Sequence, residues 1–320
     1  MKILLKILSV IYITAIKIRN LYYDFFPPKP FDFPVISVGG IRAGGSGKTP
    51  LADWIIGKIE ESGKTPVLFS RGYGRKSAQT QIVAPKDVCS WEQVGDEPLM
   101  LKRHHKNLWL AVDGNRRRAE KKLQKFNLKN IVGVMDDGFQ HRKFPRNLDI
   151  VVISCDDLSD KTLPLGRLRE PINSLKRADV VVSQEKIENE KYCAIKFCAG
   201  EFVNAVSGEK KTNFDEEILC FCGIARPERF LKSVNDLTEK SNKFLFFGDH
   251  HKYSNKDYKT TNSASQAVLI TTEKDFVRLD VKKMENADKL WYLSYGVEID
   301  DENRAFIENK IFRVCGVKNE

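Results

Sequence analysis

A chain of 320 residues, 42% hydrophobic and 30% charged, carries enough apolar side chain for one large core or two medium ones, which excludes a disordered or fibrous protein. Its 7 cysteines, at 89, 155, 193, 198, 220, 222 and 315, show no paired C-x-x-C spacing, which argues against a disulfide framework and for a reducing compartment. A formal charge of +10 implies attraction to an anion, and the sum alone leaves nucleic acid, a phospholipid surface and a phosphorylated substrate open.

From Met1 to Tyr23 the chain is strongly apolar but is broken by Lys2, Lys6, Lys17 and Arg19, so the uncharged run from Ile7 to Ile16 is too short to span a bilayer. Lys2, Lys6, Ser9, Lys17 and Asn20 fall on one narrow helical stripe, with Ile3, Leu4, Ile7, Leu8, Ile11, Ala15 and Ile18 around the rest. This predicts a basic amphipathic helix over residues 1–24 that lies in a membrane interface, with Tyr22, Tyr23, Phe25 and Phe26 at headgroup level. Pro27, Pro28 and Pro30 end it, and no small-residue cleavage site follows the apolar run to suggest a signal peptide.

The apolar Pro34-Val35-Ile36 leads into Ser37 to Pro50, which reads as a strand, a glycine-rich loop and a helix start. Gly44, Gly45, Ser46 and Gly47 allow the backbone N–H groups to turn inward around an anion, where a Cβ would block the dihedrals. Lys48 then reaches the β/γ-phosphates of a nucleotide, the Thr49 hydroxyl faces Mg²⁺, and the helix from Leu51 to Glu61 adds its positive end. The loop is a variant, because Arg42 stands where the standard motif has its first glycine.

Further along, Val94-Gly95-Asp96-Glu97-Pro98 puts two carboxylates ahead of a helical run, by itself only an acidic helix N-terminus. Ile131 to Met135 is a hydrophobic strand ending in Asp136-Asp137, the shape of a Walker B site, in which alternation gives the two acids different tasks and Asp136 the metal. Leu163 to Pro171 sets Arg167, Arg169 and Glu170 among turn residues, and Phe247-Gly248-Asp249-His250-His251 ends a strand with an acid and two histidines. Together these supply cations, carboxylates and a base, the needs of phosphoryl transfer.

Runs at Val35–Val38, Pro66–Phe69, Leu108–Val112, Ile131–Met135, Ile150–Ile153 and Val180–Val182 alternate with helical stretches, which predicts an α/β fold with a mainly parallel sheet covered on both faces. A second set at Ile218–Cys222, Lys243–Phe247 and Ala267–Ile270, with helices after Pro227 and over Asn255–Ser263, predicts a smaller α/β unit. The expected division is 1–24, 25–200 and 201–320, although Cys193–Val206 also has strand character.

In this order the motifs resemble the tetraacyldisaccharide 4'-kinase family, the lipid A 4'-kinases of Gram-negative bacteria. The resemblance runs over nearly the whole chain and rests on Gly44–Pro50, Ser70–Arg75, Val94–Pro98, Asp136–Arg142, Leu163–Pro171, Gly223–Phe230, Asp249–His251 and Thr271-Thr272-Glu273-Lys274-Asp275. Gly40 and Arg42 depart from it, the family usually having Asn and Ser or Thr there. It implies a P-loop kinase at the cytoplasmic face of the inner membrane that uses ATP and Mg²⁺ to phosphorylate the 4'-hydroxyl of an acylated glucosamine disaccharide 1-phosphate, with no nucleic acid and no obligate protein partner. By resemblance Asp96 is the general base with His250 assisting it, while Thr49, Glu97, Asp136, Asp137 and Glu170 surround metal and phosphates. Arg169 and one of Arg116, Arg117 and Arg118 would stabilise transferred charge, and Arg71, Tyr73, Arg75, Gln140 and His141 would meet or support the sugar substrate. The alternative is a membrane-peripheral P-loop ATPase or GTPase acting on a partner protein. A GTPase would need a guanine-specifying Asn-Lys-x-Asp motif, and Thr272-Glu273-Lys274-Asp275 lacks the Asn and reads as structural.

Overall fold

The computed structural model describes residues 2–44, 47–187, 192–238, 243–264 and 266–317. Gly45 and Ser46 of the phosphate loop lie outside the described residues. In chain order the first half holds α1 (Lys2–Phe25), β1 (Val35–Gly40), α2 (Lys48–Glu61), β2 (Thr65–Ser70), β3 (Gln81–Val83), α3 (Trp91–Val94), α4 (Asp96–His104), β4 (Trp109–Val112), α5 (Arg116–Leu123), β5 (Ile131–Asp136), β6 (Leu148–Ile153), α6 (Cys155–Ser159), β7 (Val180–Ser183) and β8 (Tyr192–Ala194). The second half holds β9 (Lys196–Asn204), β10 (Lys210–Lys211), β11 (Ile218–Cys222), α7 (Pro227–Leu237), β12 (Lys243–Phe246), α8 (Asn255–Asn262), β13 (Val268–Thr272), α9 (Glu273–Phe276), β14 (Leu290–Glu298) and α10 (Asp301–Cys315).

The first sheet has eight strands in the order β3-β4-β2-β5-β1-β6-β7-β8, parallel except for the β3–β4 pair. Strands β1 and β6 are buried along their whole length, which is why they read as continuous apolar runs rather than alternating ones. Helix α2 covers the sheet with Leu51, Ala52, Ile55, Ile56 and Ile59, one stripe at helical spacing. Since β1 lies between β5 and β6, the loops leaving β1 and β5 emerge side by side, the usual location of a ligand site in open parallel sheets.

The second sheet has six strands in the order β10-β9-β14-β13-β11-β12, with β9 antiparallel to both neighbours and the others parallel. Strand β14 was not among the sequence expectations. It pairs with β9 in a long ladder whose far ends, Phe197 and Val297, pack against the core of the first sheet, so this ribbon joins the two units. Helix α10 corrects the expectation that residues 201–320 form one unit. Its Ile307, Ile311 and Cys315 bury against the first sheet, in the same core as Ile55 and Ile59 of α2.

Helix α1 docks in an unusual orientation. Four polar side chains, Ser9, Tyr12, Arg19 and Asn20, meet the protein while Lys6 and Lys17 stay exposed: Ser9 is buried against Thr162, Tyr12 Oη donates to Arg169 O at 2.8 Å, and Arg142 reaches Asn20 O and Asp24. Its apolar side chains face outward, with Ile3 75% and Phe25 72% exposed. A soluble amphipathic helix shows the reverse arrangement. Among the described residues no helix is long and apolar enough to cross a membrane.

Glu170 holds this arrangement together and corrects its expected place at the metal. It is fully buried, and its carboxylate accepts from Arg19 Nη2 at 2.9 Å, Asn20 Nδ2 at 2.9 Å and Arg177 Nη2 at 3.0 Å, so both oxygens are committed to tying α1 to the core. Replacing one member of a buried ionic group leaves the others uncompensated. Glu170→Leu is therefore expected to lower unfolding stability in urea by about 3 kcal/mol. A loss no larger than that of an exposed Glu would assign the anchoring of α1 elsewhere.

Candidate active site

The loop after β1 is shaped by close backbone approaches. Gly39 faces Phe139 so tightly that an added Cβ would lie 2.6 Å from the Phe139 Cβ. Gly44 and Gly47 have φ of 105° and 81°, the left-handed region that glycine tolerates, and Gly47 caps α2 so that Lys48 starts the helix. Arg42, the off-pattern residue, reaches away from the loop to Asp157 at 2.9 Å. The same stretch is held to the segment around Arg169 by Ala43 N donating to Arg167 O at 2.9 Å and Arg169 N donating to Ile41 O at 2.6 Å.

Four carboxylates converge on this loop, and cations surround them. Asp137, with φ 51° just past β5, accepts two bonds from the Arg169 guanidinium at 2.7 Å each and lies 3.3 Å from Lys48 Nζ. Desolvation pushes its proton affinity up, but Arg169 and Lys48 override it and hold the carboxyl well below the usual range. Asp136 goes the other way, up to about 7, by desolvation first and then by Glu97 and Asp137. The two adjacent acids thus differ in electrostatic character, Asp136 closing β5 and Asp137 turning out of the strand with its φ of 51°.

Asp96 and Glu97 open α4. The turn that places them depends on Gly95, with φ 95°, whose missing Cβ would lie 2.9 Å from the Gly72 Cα. That contact seats the Ser70–Arg75 loop against the start of α4. Asp96 is buried, and its Oδ2 lies 3.0 Å from His250 Nδ1 and 3.9 Å from Arg278 Nε, both from the second unit. Against the upward push of desolvation, the His250 bond and the charge of Lys274 lower the Asp96 pKa, which keeps the carboxylate ready to accept a proton. Tyr73, largely exposed, has its ring 4.8 Å from that of His250.

A basic group adjoins the acids. Arg116 is fully buried at the start of α5, its Nη2 3.5 Å from Asp136 O and its Nε without a hydrogen-bond partner among the described residues. Desolvation and the neighbouring Arg71 bring its pKa down to about 10. Desolvation, Arg116 and Arg71 likewise lower His141 to about 4, so this imidazole is neutral at pH 7. Gln140 Nε2 donates to Gly40 O at 2.9 Å. Of the three consecutive arginines only Arg116 turns to the acids, since Arg118 pairs with Asp113 at 2.6 Å and Arg117 stacks over Phe31.

Most expected site residues therefore gather: Lys48, Glu97, Asp96, Asp136, Asp137, Arg169 and His250 around the acids, with Arg71, Tyr73, Gln140 and His141 beside them. Thr49 follows Lys48 in the first turn of α2. Arg75 is a correction, because its guanidinium is spent on the carbonyls of Gln79 at 2.9 Å and Val112 at 3.2 Å, which braces the loop. His251 stacks on Phe247 and bonds Asp257, a structural place. Lys274 and Arg278 were missed as site residues; the Thr271–Asp275 motif that carries Lys274 was visible but read as structural.

At the other end of α4, His104 joins the two units. Its Nδ1 lies 2.8 Å from Asp53 and its Nε2 is bonded to Glu273 of α9, while His105 bridges Asp53 and Glu60. Desolvation opposes protonation, yet the two carboxylates raise His104 from 6.5 to about 10. A proton held more tightly in the folded chain stabilises fully below pH 6.5, and that contribution disappears as pH climbs through 10. The melting temperature of wild type should exceed that of His104→Gln most near pH 6.5, and the gap should narrow towards pH 10. A gap independent of pH would mean that His104 is neutral in the fold.

The family described as tetraacyldisaccharide-1-P 4'-kinase matches residues 1–312 of the chain. The tetraacyldisaccharide 4'-kinase of Chlorobaculum tepidum is 32% identical over 302 residues, covering 87% of this chain and 86% of that protein. The protein of the same name from Aquifex aeolicus is 31% identical over 324 residues, with 96% of each chain covered. A crystal structure of LpxK from Aquifex aeolicus in complex with ATP superposes with a TM-score of 0.81 at 29% identity, over 97% of this chain and 98% of that one.

Proposed function

Because the chain belongs to the tetraacyldisaccharide 4'-kinase family, an ATP-dependent kinase of lipid A biosynthesis, we propose that its convergent carboxylates transfer the γ-phosphate of ATP to the 4'-hydroxyl of a tetraacylated glucosamine disaccharide 1-phosphate. The observation that carries this reading is the buried Asp96–His250 pair at 3.0 Å, a proton acceptor and its partner brought together from two units beside a phosphate loop. A P-loop reading of the core, with ATP phosphates held by the loop between β1 and α2, is supported by Gly44 and Gly47 and by Lys48 and Thr49 at the start of α2. Residues 25–200 then serve as this core and 201–320 as a smaller unit, except that α10 returns to the core.

The chemistry follows from the side chains. Lys48 and Arg169, which neutralise Asp137, also face the phosphates, and Arg116 adds a charge that deprotonation cannot remove near neutrality. Asp96 accepts the proton of the 4'-hydroxyl as its oxygen bonds to the γ-phosphorus and the bond to the bridging oxygen breaks, releasing ADP. His250 holds that carboxylate in place. Arg71, Tyr73, Gln140 and His141 border the space for the sugar.

Among the described residues no three His, Cys, Asp or Glu side chains gather closely enough to hold a metal alone. The donors fit Mg²⁺ as it accompanies nucleotide phosphates: Thr49, Asp136 and Glu97 would hold it, with the charges of Glu97 and Asp137 acting on Asp136. When bound, Mg²⁺ would neutralise phosphate oxygens.

The outward apolar side of α1 suits the cytoplasmic surface of the inner membrane. Acyl chains leave a bilayer at a cost of about 0.8 kcal/mol per CH₂, so the enzyme gains by working at headgroup depth.

Phosphate transfer from ATP to the purified disaccharide 1-phosphate in detergent micelles should require Mg²⁺ and fall at least about 100-fold in Lys48→Ala and in Asp96→Ala. Full turnover by Asp96→Ala would remove Asp96 as the base. A chain lacking residues 1–24 should fold, melt at a lower temperature and no longer float with anionic phospholipid vesicles. Flotation at the level of the full chain would put the membrane contact elsewhere.

A further inference from the structure

The short helix α9 of the second unit packs against α4, the helix whose first turn carries Asp96 and Glu97, and two of its side chains reach the two ends of α4. At the far end Glu273 bonds His104. At the near end Lys274 Nζ donates to Glu97 Oε1 at 3.0 Å, with the lysine side chain one-quarter exposed. Two residues so placed fix a helix of nine residues in both position and rotation. The grip itself is rigidly held, because Thr272 caps α9 by accepting from Asp275 N, while the Asp275 carboxylate accepts from Gly223 N and Tyr253 Oη and pairs with Arg278 at 2.5 Å. Around the first turn of α4, His250 and Arg278 face Asp96, Lys274 faces Glu97, and Asp249 stands beside His250 and Lys274.

We propose that Lys274 is a positioning residue for phosphoryl transfer: it fixes Glu97, and with it the first turn of α4, so that the acidic cluster is complete only when the second unit is docked. The proposal rests on the reading of Asp96 as base and Glu97 as a group facing metal and phosphates. Lys274 is the cation bonded to Glu97, and removing it would leave that carboxylate without this partner at the start of α4. Lys274 acts through Glu97.

The test is steady-state kinetics on the full chain with ATP and the disaccharide 1-phosphate, alongside binding of a fluorescent ATP analogue and a melting curve for each variant. Lys274→Met should reduce kcat by about tenfold, equivalent to about 1.4 kcal/mol, with the dissociation constant of the ATP analogue within about twofold of wild type. Lys274→Arg should recover most of the loss, since a cation still reaches Glu97. In a Glu97→Gln background the Lys274→Met effect should shrink below about twofold, because residues acting as one unit are not additive. Wild-type kcat in Lys274→Met, additive losses in the double variant, or an arginine variant no better than methionine would each overturn the proposal. If those arms fail while Asp96→Asn remains inactive, the base assignment stands without Lys274. An active Asp96→Asn removes the base assignment itself.

Discussion

Like charges brought together in a partly dry space set the terms for the rest of this molecule. Glu97 in the first turn of α4, next to Asp96, and Asp137 just past β5 both act on Asp136 at the end of β5, and two unit charges 4 Å apart repel by about 4 kcal/mol at an effective dielectric of 20. No single element supplies the compensation. Lys48 comes from α2, Arg169 from the segment before Glu170, Arg116 from α5, and Lys274 and Arg278 from the second unit. The result is uneven by construction: Asp137 is firmly ionised, while Asp136 keeps a high affinity for a positive charge. Under the proposed function that unevenness has a use, because a fully neutralised cluster would attract neither a polyanion nor a metal.

The same principle explains why the two units meet as they do. The interface at α4 and α9 is built from ion pairs and charged hydrogen bonds, His104 with Glu273, Lys274 with Glu97 and His250 with Asp96. The mechanical connection lies elsewhere, in the β9–β14 ribbon whose ends are anchored in the first core. A polar interface beside an apolar hinge can separate and re-form without exposing a hydrophobic face to water.

Much of this was legible in the sequence, for definite reasons. The continuous Val and Ile runs of β1, β5, β6 and β7 announce strands covered on both sides, and the glycines before Lys48 announce an anion cradle. Asp96 and His250, 154 positions apart, could be paired only through the family resemblance, since no local pattern links them. Three features were hidden. Glu170 sits beside Arg169 in sequence, but the chain turns its carboxylate towards Arg19 and Asn20, and only the docking of α1 decides that. Arg75 was expected at the substrate only by resemblance, whereas its guanidinium braces two carbonyls. Strand β14 carries polar and aromatic residues in a mixed pattern because it leaves one unit for another, so neither periodicity dominates.

The short stretch from Thr162 to Glu170 meets α1 through Ser9, Tyr12, Arg19 and Asn20, and it meets the acids through Arg169. Under the proposed bilayer contact, the depth at which the helix floats is transmitted through the hydrogen bonds of these four residues to the guanidinium beside Asp137. Membrane thickness and lateral pressure then become settings of the catalytic geometry, and a kinase freed into detergent works without that calibration.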